Sequence, residues 1–156
     1  VSSVLGGPTA SPMRVIMGVE KGIIVNYISR DMLKLLQLKL SSNKIQREIE
    51  KRYTDPIARF KPYVIFQLIQ SKSRLVDPNI MVNASPDPED NEVLSVACYV
   101  NADYLITLDQ EDILSLRDPN SKEIIIEDDE GKEVCRFKIV TPREFLSELY
   151  EIGIRL

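Results

Sequence analysis

Hydrophobic positions along the chain recur at helical spacing in some stretches and in short unbroken runs in others, and the two kinds of stretch alternate. Gly6-Gly7-Pro8-Thr9 predicts a turn. Ser11-Pro12 opens a helix running to about Glu20, with the serine as N-cap and the proline at the first helical position. Gly22-Ile23-Ile24-Val25-Asn26-Tyr27-Ile28 is a β-branched run that predicts a strand buried on both faces. Ser29 then caps a helix whose apolar stripe is Met32, Leu33, Leu35, Leu36, Leu38 and Leu40. A charged helical stretch follows from Asn43 to Tyr53, and Asp55-Pro56 starts another helix that carries Ile57, Phe60, Val64, Ile65, Leu68 and Ile69.

The second half continues the alternation. Leu75-Val76 and Ile80-Met81-Val82 are short strand material on either side of Pro78. Asp87 reads as an N-cap with Pro88 behind it, for a helix reaching about Asn101. Ala102–Thr107 is the next strand, with a short helix around Ile113-Leu114 beyond it. Glu123–Ile126 and Val134–Val140 pair as a hairpin across Asp128-Asp129-Glu130-Gly131. Thr141-Pro142-Arg143-Glu144 is a capping box for a final helix. Strands alternating with helices predict an α/β fold with a mostly parallel sheet, whose ligand crevice lies outside the C-terminal ends of the strands. That edge is expected to hold Ser29, Asp31, Asp87, Asp90 and Asp109.

Composition narrows the chemistry. The 156 residues suit one compact domain, and no apolar run approaches the roughly 18 residues of a membrane span, so no membrane role is expected. The first seven residues do not read as a secretory signal, and a cytoplasmic location is expected. Cys98 and Cys135 each sit in an apolar pattern and read as buried free thiols rather than a disulfide. There is no histidine, which removes Ser-His-Asp and Cys-His catalysis and histidine-bearing zinc sites. Hydrolysis would have to run on carboxylates, with Mg²⁺ or Mn²⁺ as their natural companion. Charge is uneven: Ser29–Arg74 holds eleven Lys/Arg against four Asp/Glu, and the remainder nine against twenty. This suits one basic face for a polyanion and one acidic pocket for a metal, but also two ordinary solvated helices.

Asp87, Asp90 and Asp109 come to one edge from two segments. Clustered acids repel, and a divalent cation is the usual reason for keeping them ionised. Acids at a helix start equally serve as caps, and the spacing leaves both readings open.

Three blocks are more specific: Asp87-Pro88-Glu89-Asp90-Asn91, Ala102-Asp103-Tyr104-Leu105-Ile106-Thr107-Leu108-Asp109, and Ile139-Val140-Thr141-Pro142-Arg143-Glu144-Phe145-Leu146. Together they resemble the C-terminal half of PIN domains, nearest the branch described as toxin components of toxin–antitoxin pairs. Val1–Pro8, Ser11-Pro12 and the Glu20–Ser29 stretch resemble that family's first helix pair and second strand. The resemblance implies a single PIN-like domain over 1–156, a three-layer α/β fold with the sheet flanked by helices, here with a C-terminal β-hairpin insertion. It also implies a Mg²⁺- or Mn²⁺-dependent single-strand endoribonuclease, with single-stranded RNA as substrate, an antitoxin protein as partner, and a homodimer.

Carried over by position, Asp90 and Asp109 match catalytic and metal-holding acids, Asp87 matches a less strict metal acid, and Thr107 and Asn91 match the neighbouring motif residues. The sequence departs from the family pattern in three ways. The family's first strand, ending in an aspartate, falls before Val1, a helix glutamate is replaced by Leu35, and the glycine before the last acid is Leu108. On those departures the chain as given is expected to cleave weakly or not at all. The alternative is a degraded PIN scaffold that binds protein or RNA.

Overall fold

In the computed structural model, which describes residues 10–108 and 111–156, the chain is a mixed α/β protein with six α-helices and five strands among the described residues. The predicted turn at Gly6–Thr9 and the Val1–Pro8 stretch lie outside the described residues, as does Asp109. The larger sheet has one parallel and one antiparallel strand pairing. The described residues divide into two compact units, one reaching to Leu75 and including Leu156, the other spanning Val76–Arg155.

The first unit opens with α1, Ser11–Glu20, whose N-cap is Ala10 rather than the expected Ser11, with no side-chain cap. The proline still falls in the first turn, where a missing N–H costs nothing. The strand expected from Gly22 is shorter than the β-branched run suggests. Gly22 adopts φ +75°, and the N–H groups of Ile23 and Ile24 both donate to the Gly18 carbonyl. The chain therefore folds back over the end of α1, as a left-handed glycine after a helix allows, and extended pairing waits until β1, Tyr27–Ser29. Gly18 is constrained by the same turn, since an added Cβ would lie 2.6 Å from the Ile24 side chain.

Ser29 caps α2, Arg30–Ser41, as expected, its hydroxyl accepting from the Met32 N–H at 3.1 Å. Ser42 caps α3, Asn43–Arg52. Asp55 accepts from the Ile57 N–H, but its helix is preceded by one 3₁₀ turn, Ala58–Phe60, before α4, Lys61–Lys72. β2, Arg74–Val76, is the neighbour of β1 and closes the unit. The core here is Met13, Leu40, Ile65 and Phe66, with Leu33, Leu36, Ile45 and Ile69 packed against it. Leu35 is half-buried and is not part of this cluster.

In the second unit, Ile80–Val82 forms no strand. Val82 is buried, and its N–H donates to the Ser95 hydroxyl at 2.8 Å, so a side chain takes the place of a ladder partner. α5 spans Pro88–Tyr99 and packs on a three-stranded sheet of order β3-β5-β4. β3, Tyr104–Ile106, runs parallel to β5, Glu133–Val140, with Leu105 opposite Ile139. β4, Glu123–Glu127, pairs antiparallel to β5 as the expected hairpin. Its turn is held by the Asp128 carboxylate, which accepts from the Glu130 and Lys132 N–H groups, with Gly131 at φ +79°. A 3₁₀ turn, Leu114–Leu116, stands where a short helix was expected. Leu94 and Ile139 are fully buried at the centre of the core, with Leu105, Ile113 and Phe137 around them.

The two cysteines correct the expectation of free thiols: Cys98 and Cys135 are joined as a disulfide, with Cα atoms 5.4 Å apart. The apolar pattern around each correctly signalled burial. It carried no information that α5 and β5 would lay the two side chains face to face.

The final helix α6, Pro142–Glu151, begins with the full capping box at Thr141 and Glu144. Arg117 makes two hydrogen bonds to Glu144 and a third to the Ile139 carbonyl. The two bonds from Arg117, together with the Thr141 N–H, hold the Glu144 carboxyl down at about 2. Nearby, burial and then the Glu148 carboxylate push the Tyr104 phenol up to about 12. Burial alone would raise Glu148, but hydrogen bonds from Tyr104 and Lys138 bring it below its ordinary value. A depressed carboxylate stabilises the fold above its unfolded value and loses that contribution as pH falls through the folded value. Stability is expected to drop between about 4.5 and about 2. Glu144→Gln should remove on the order of 2 kcal/mol at pH 7 and flatten that slope in urea unfolding followed across pH. An unchanged slope would show that the Arg117 pair contributes little.

Candidate metal centre

α5 turns directly into β3. The Asn101 and Ala102 N–H groups donate back to Cys98 and Ala97, with Asn101 at φ +51°, so strand and helix run in opposite directions. The N-terminal end of α5 therefore returns to the edge where β3 ends. Thr107 extends that edge by one residue, its N–H donating to the Val140 carbonyl at 2.9 Å. Chain direction alone thus brings Asp87 and Asp90 toward the segment that follows β3.

The carboxylates that meet there are Asp87, Asp90 and Asp112, each offering an oxygen within 4.8 Å of the others. Asp90 is buried at 7% exposure, Asp87 half-buried and Asp112 exposed. Asp112 was not singled out by the sequence, because no local pattern marks it. Its place is set by the neighbouring Ile113, which is buried in the core and anchors the segment. Asp109, expected to share the site with Asp90, lies outside the described residues.

The loop before α5 is built around Asp90. The Ser85 hydroxyl donates to the Asp90 carboxylate at 3.1 Å and accepts from the Asp87 N–H at 3.2 Å. Asp87 itself caps the helix, accepting from the Glu89 N–H at 2.9 Å. It is therefore both the N-cap and a member of the acidic trio, two roles that the spacing had left as alternatives. Asn91 does not face the trio as a ligand. Its Oδ1 accepts from the Ala84 and Ser85 N–H groups and its Nδ2 donates to the Ser85 carbonyl, so it clamps the loop that supplies Ser85. Ser29, also expected at an acidic edge, is buried in the first unit with its hydroxyl used as a helix cap.

Three carboxylates without nitrogen or sulfur form a hard-oxygen donor set, which suits Mg²⁺ or Mn²⁺ and not a soft metal. Ligands of an octahedral Mg²⁺ lie at most about 4.2 Å apart, so 4.8 Å asks only for small rotamer changes. A shallow depression of about 450 Å³ elsewhere in this unit is lined by Asp103, Tyr104, Glu123, Arg136 and Lys138. Its cations are already paired, Arg136 with Glu133 and Lys138 with Glu148, and none of the three acids reaches it. The acidic trio is therefore the candidate site.

Comparison with known proteins identifies the family. The PIN domain profile matches residues 1–111, which takes in Asp87, Asp90 and Asp109 and ends one residue before Asp112. An uncharacterized protein of Methanocaldococcus jannaschii is 30% identical over 148 residues, covering 94% of this chain and 84% of its own length. No solved structure matches. With its α/β fold, its clustered acids and a profile match over most of its length, the chain belongs to the PIN-domain family, a family of nuclease type.

Proposed function

We propose that the protein is a metal-dependent endoribonuclease of toxin type that cuts single-stranded RNA, with Asp87, Asp90, Asp109 and Asp112 around a Mg²⁺ or Mn²⁺ ion. The observation that carries this reading is the convergence of Asp87, Asp90 and Asp112 within 4.8 Å in a chain of the PIN family. A hard divalent cation held there would polarise a phosphodiester and lower the pKa of an attacking water. The chain's own contribution is positional. Ser85 fixes the Asp90 carboxylate, Asn91 fixes Ser85, and the buried Ile113 fixes the segment of Asp112.

Substrate binding falls to the basic first unit, where Lys44, Arg47, Lys51 and Arg52 of α3 are exposed. Such contacts go to phosphates and weaken with salt. In this reading residues 1–156 act as one PIN-like domain in the cytoplasm, pair as a homodimer, and are restrained by an antitoxin. A non-catalytic RNA- or protein-binding scaffold is the second reading. What favours it is Leu35, half-buried at the position where the family resemblance implies a glutamate.

Two measurements separate the readings. By calorimetry, Asp90→Asn should abolish Mn²⁺ binding, and Asp112→Asn should weaken it by about tenfold, the scale of a lost carboxylate partner. Mn²⁺ binding that survives Asp90→Asn puts the metal elsewhere. On an unstructured RNA, the weak cleavage expected of this chain should require Mg²⁺ or Mn²⁺ and be lost in both Asp90→Asn and Asp109→Asn. RNA binding with no metal-dependent cleavage would leave the scaffold reading, and cleavage indifferent to both substitutions would exclude this site.

A further inference from the structure

The metal reading makes no use of the disulfide, yet the bond shares one buried cluster with both arms of the acidic trio. Cys98 is eight residues beyond Asp90 on α5, about 12 Å along the helix, and it bonds to Cys135 of β5. Leu94, one turn from Asp90, is fully buried in that cluster. So is Ile113, the residue next to Asp112. α5 carries two of the acids at its N-terminal end and is covalently pinned to the sheet near its C-terminal end. The segment carrying the third acid packs on the same side chains.

Three carboxylates within 4.8 Å repel each other, and any freedom of α5 to slide or tilt on the sheet will be used to move them apart. A crosslink between residues separated by 37 positions restricts that freedom. We propose that the Cys98–Cys135 disulfide is a positioning pair for the metal site, holding α5 on β5 so that Asp87 and Asp90 stay within reach of Asp112. Reducing the bond lowers metal affinity. This inference rests on the metal reading given under the proposed function.

A disulfide that merely staples the core would raise stability without touching the ion. Linkage distinguishes the two roles. If the bond tightens metal binding by some factor, saturating metal must make the bond harder to reduce by the same factor. The reductant is dithiothreitol. One of its thiolates attacks a sulfur of the pair, giving a mixed disulfide and freeing one cysteine. Its second thiol then closes the cyclic disulfide and frees the other. Two electrons and two protons pass to the protein, which ends with two thiols. Mg²⁺ is the probe, because this hard cation is poorly held by thiols.

Mg²⁺ affinity is measured by calorimetry on the oxidised chain, the reduced chain, and the Cys98→Ala/Cys135→Ala variant, with unfolding curves confirming that each is folded at the working temperature. The midpoint of disulfide reduction is then measured with and without saturating Mg²⁺. The reduced chain and the double variant are expected to bind about tenfold more weakly, within the usual range of coupling between sites. The midpoint should move by the same factor, about 30 mV more negative with Mg²⁺ present. Equal affinity in oxidised and reduced chains, with an unmoved midpoint, overturns the positioning role and leaves the metal reading standing. Two reactive thiols in the unreduced, denatured protein overturn it as well. Failure of the oxidised chain to bind Mg²⁺, or binding that Asp90→Asn does not change, overturns the metal reading and this inference together.

Discussion

Burying a carboxylate is the constraint from which the second unit is organised. Asp90 is 7% exposed, and an ionisable group placed there costs several kcal/mol unless hydrogen bonds or opposite charge offset it. The loop before α5 supplies that offset in layers. Ser85 reaches the carboxylate and Asn91 holds the backbone of Ser85, whereas Asp87, which closes the helix end, adds a second acid that works against the burial. Further along α5, Ser95 takes the N–H of Val82 and so ties down the approach to that loop. No buried side-chain nitrogen or oxygen among the described residues lacks a hydrogen-bond partner. Such an investment around one acid is hard to attribute to capping, because Asp87 already performs that task.

The second unit joins this polar loop to a core that fixes its direction. The turn between α5 and β3 reverses the chain, and the parallel pairing of β3 with β5 places the end of β3 beside Val140, just before α6. Carboxylates from two separate segments meet because both packing and turn geometry leave the helix no other direction. The site is thus a product of topology, with side-chain identity deciding only what it can hold.

Local rules were legible in the sequence at most positions where a single residue settles a local hydrogen bond, the expected cap at Ser11 being the exception. Ser29, Asp87 and Thr141 were recognised as caps and act as caps, and the Asp128–Gly131 turn closes the hairpin it was expected to close. Features that depend on the partner across space were not. The β-branched run after Gly22 reads as a long strand, but its first residues hydrogen-bond back to Gly18. Ile80–Val82 reads as a strand, but Ser95 takes its key N–H. Cys98 and Cys135 read correctly as buried, while their pairing depends on the packing of α5 on β5. At the site, Asp87 and Asp90 were identified from a motif. Asp112 was missed because its approach depends on where Ile113 is buried.

The central claim is that these three acids form one cation site. Anomalous diffraction from crystals grown with Mn²⁺ tests it most directly. The account predicts a single strong peak at about 2.0–2.6 Å from carboxylate oxygens of Asp90 and Asp112, with Asp87 directly bound or one water away. A peak elsewhere in the chain, with Asp90 and Asp112 turned apart, would contradict it.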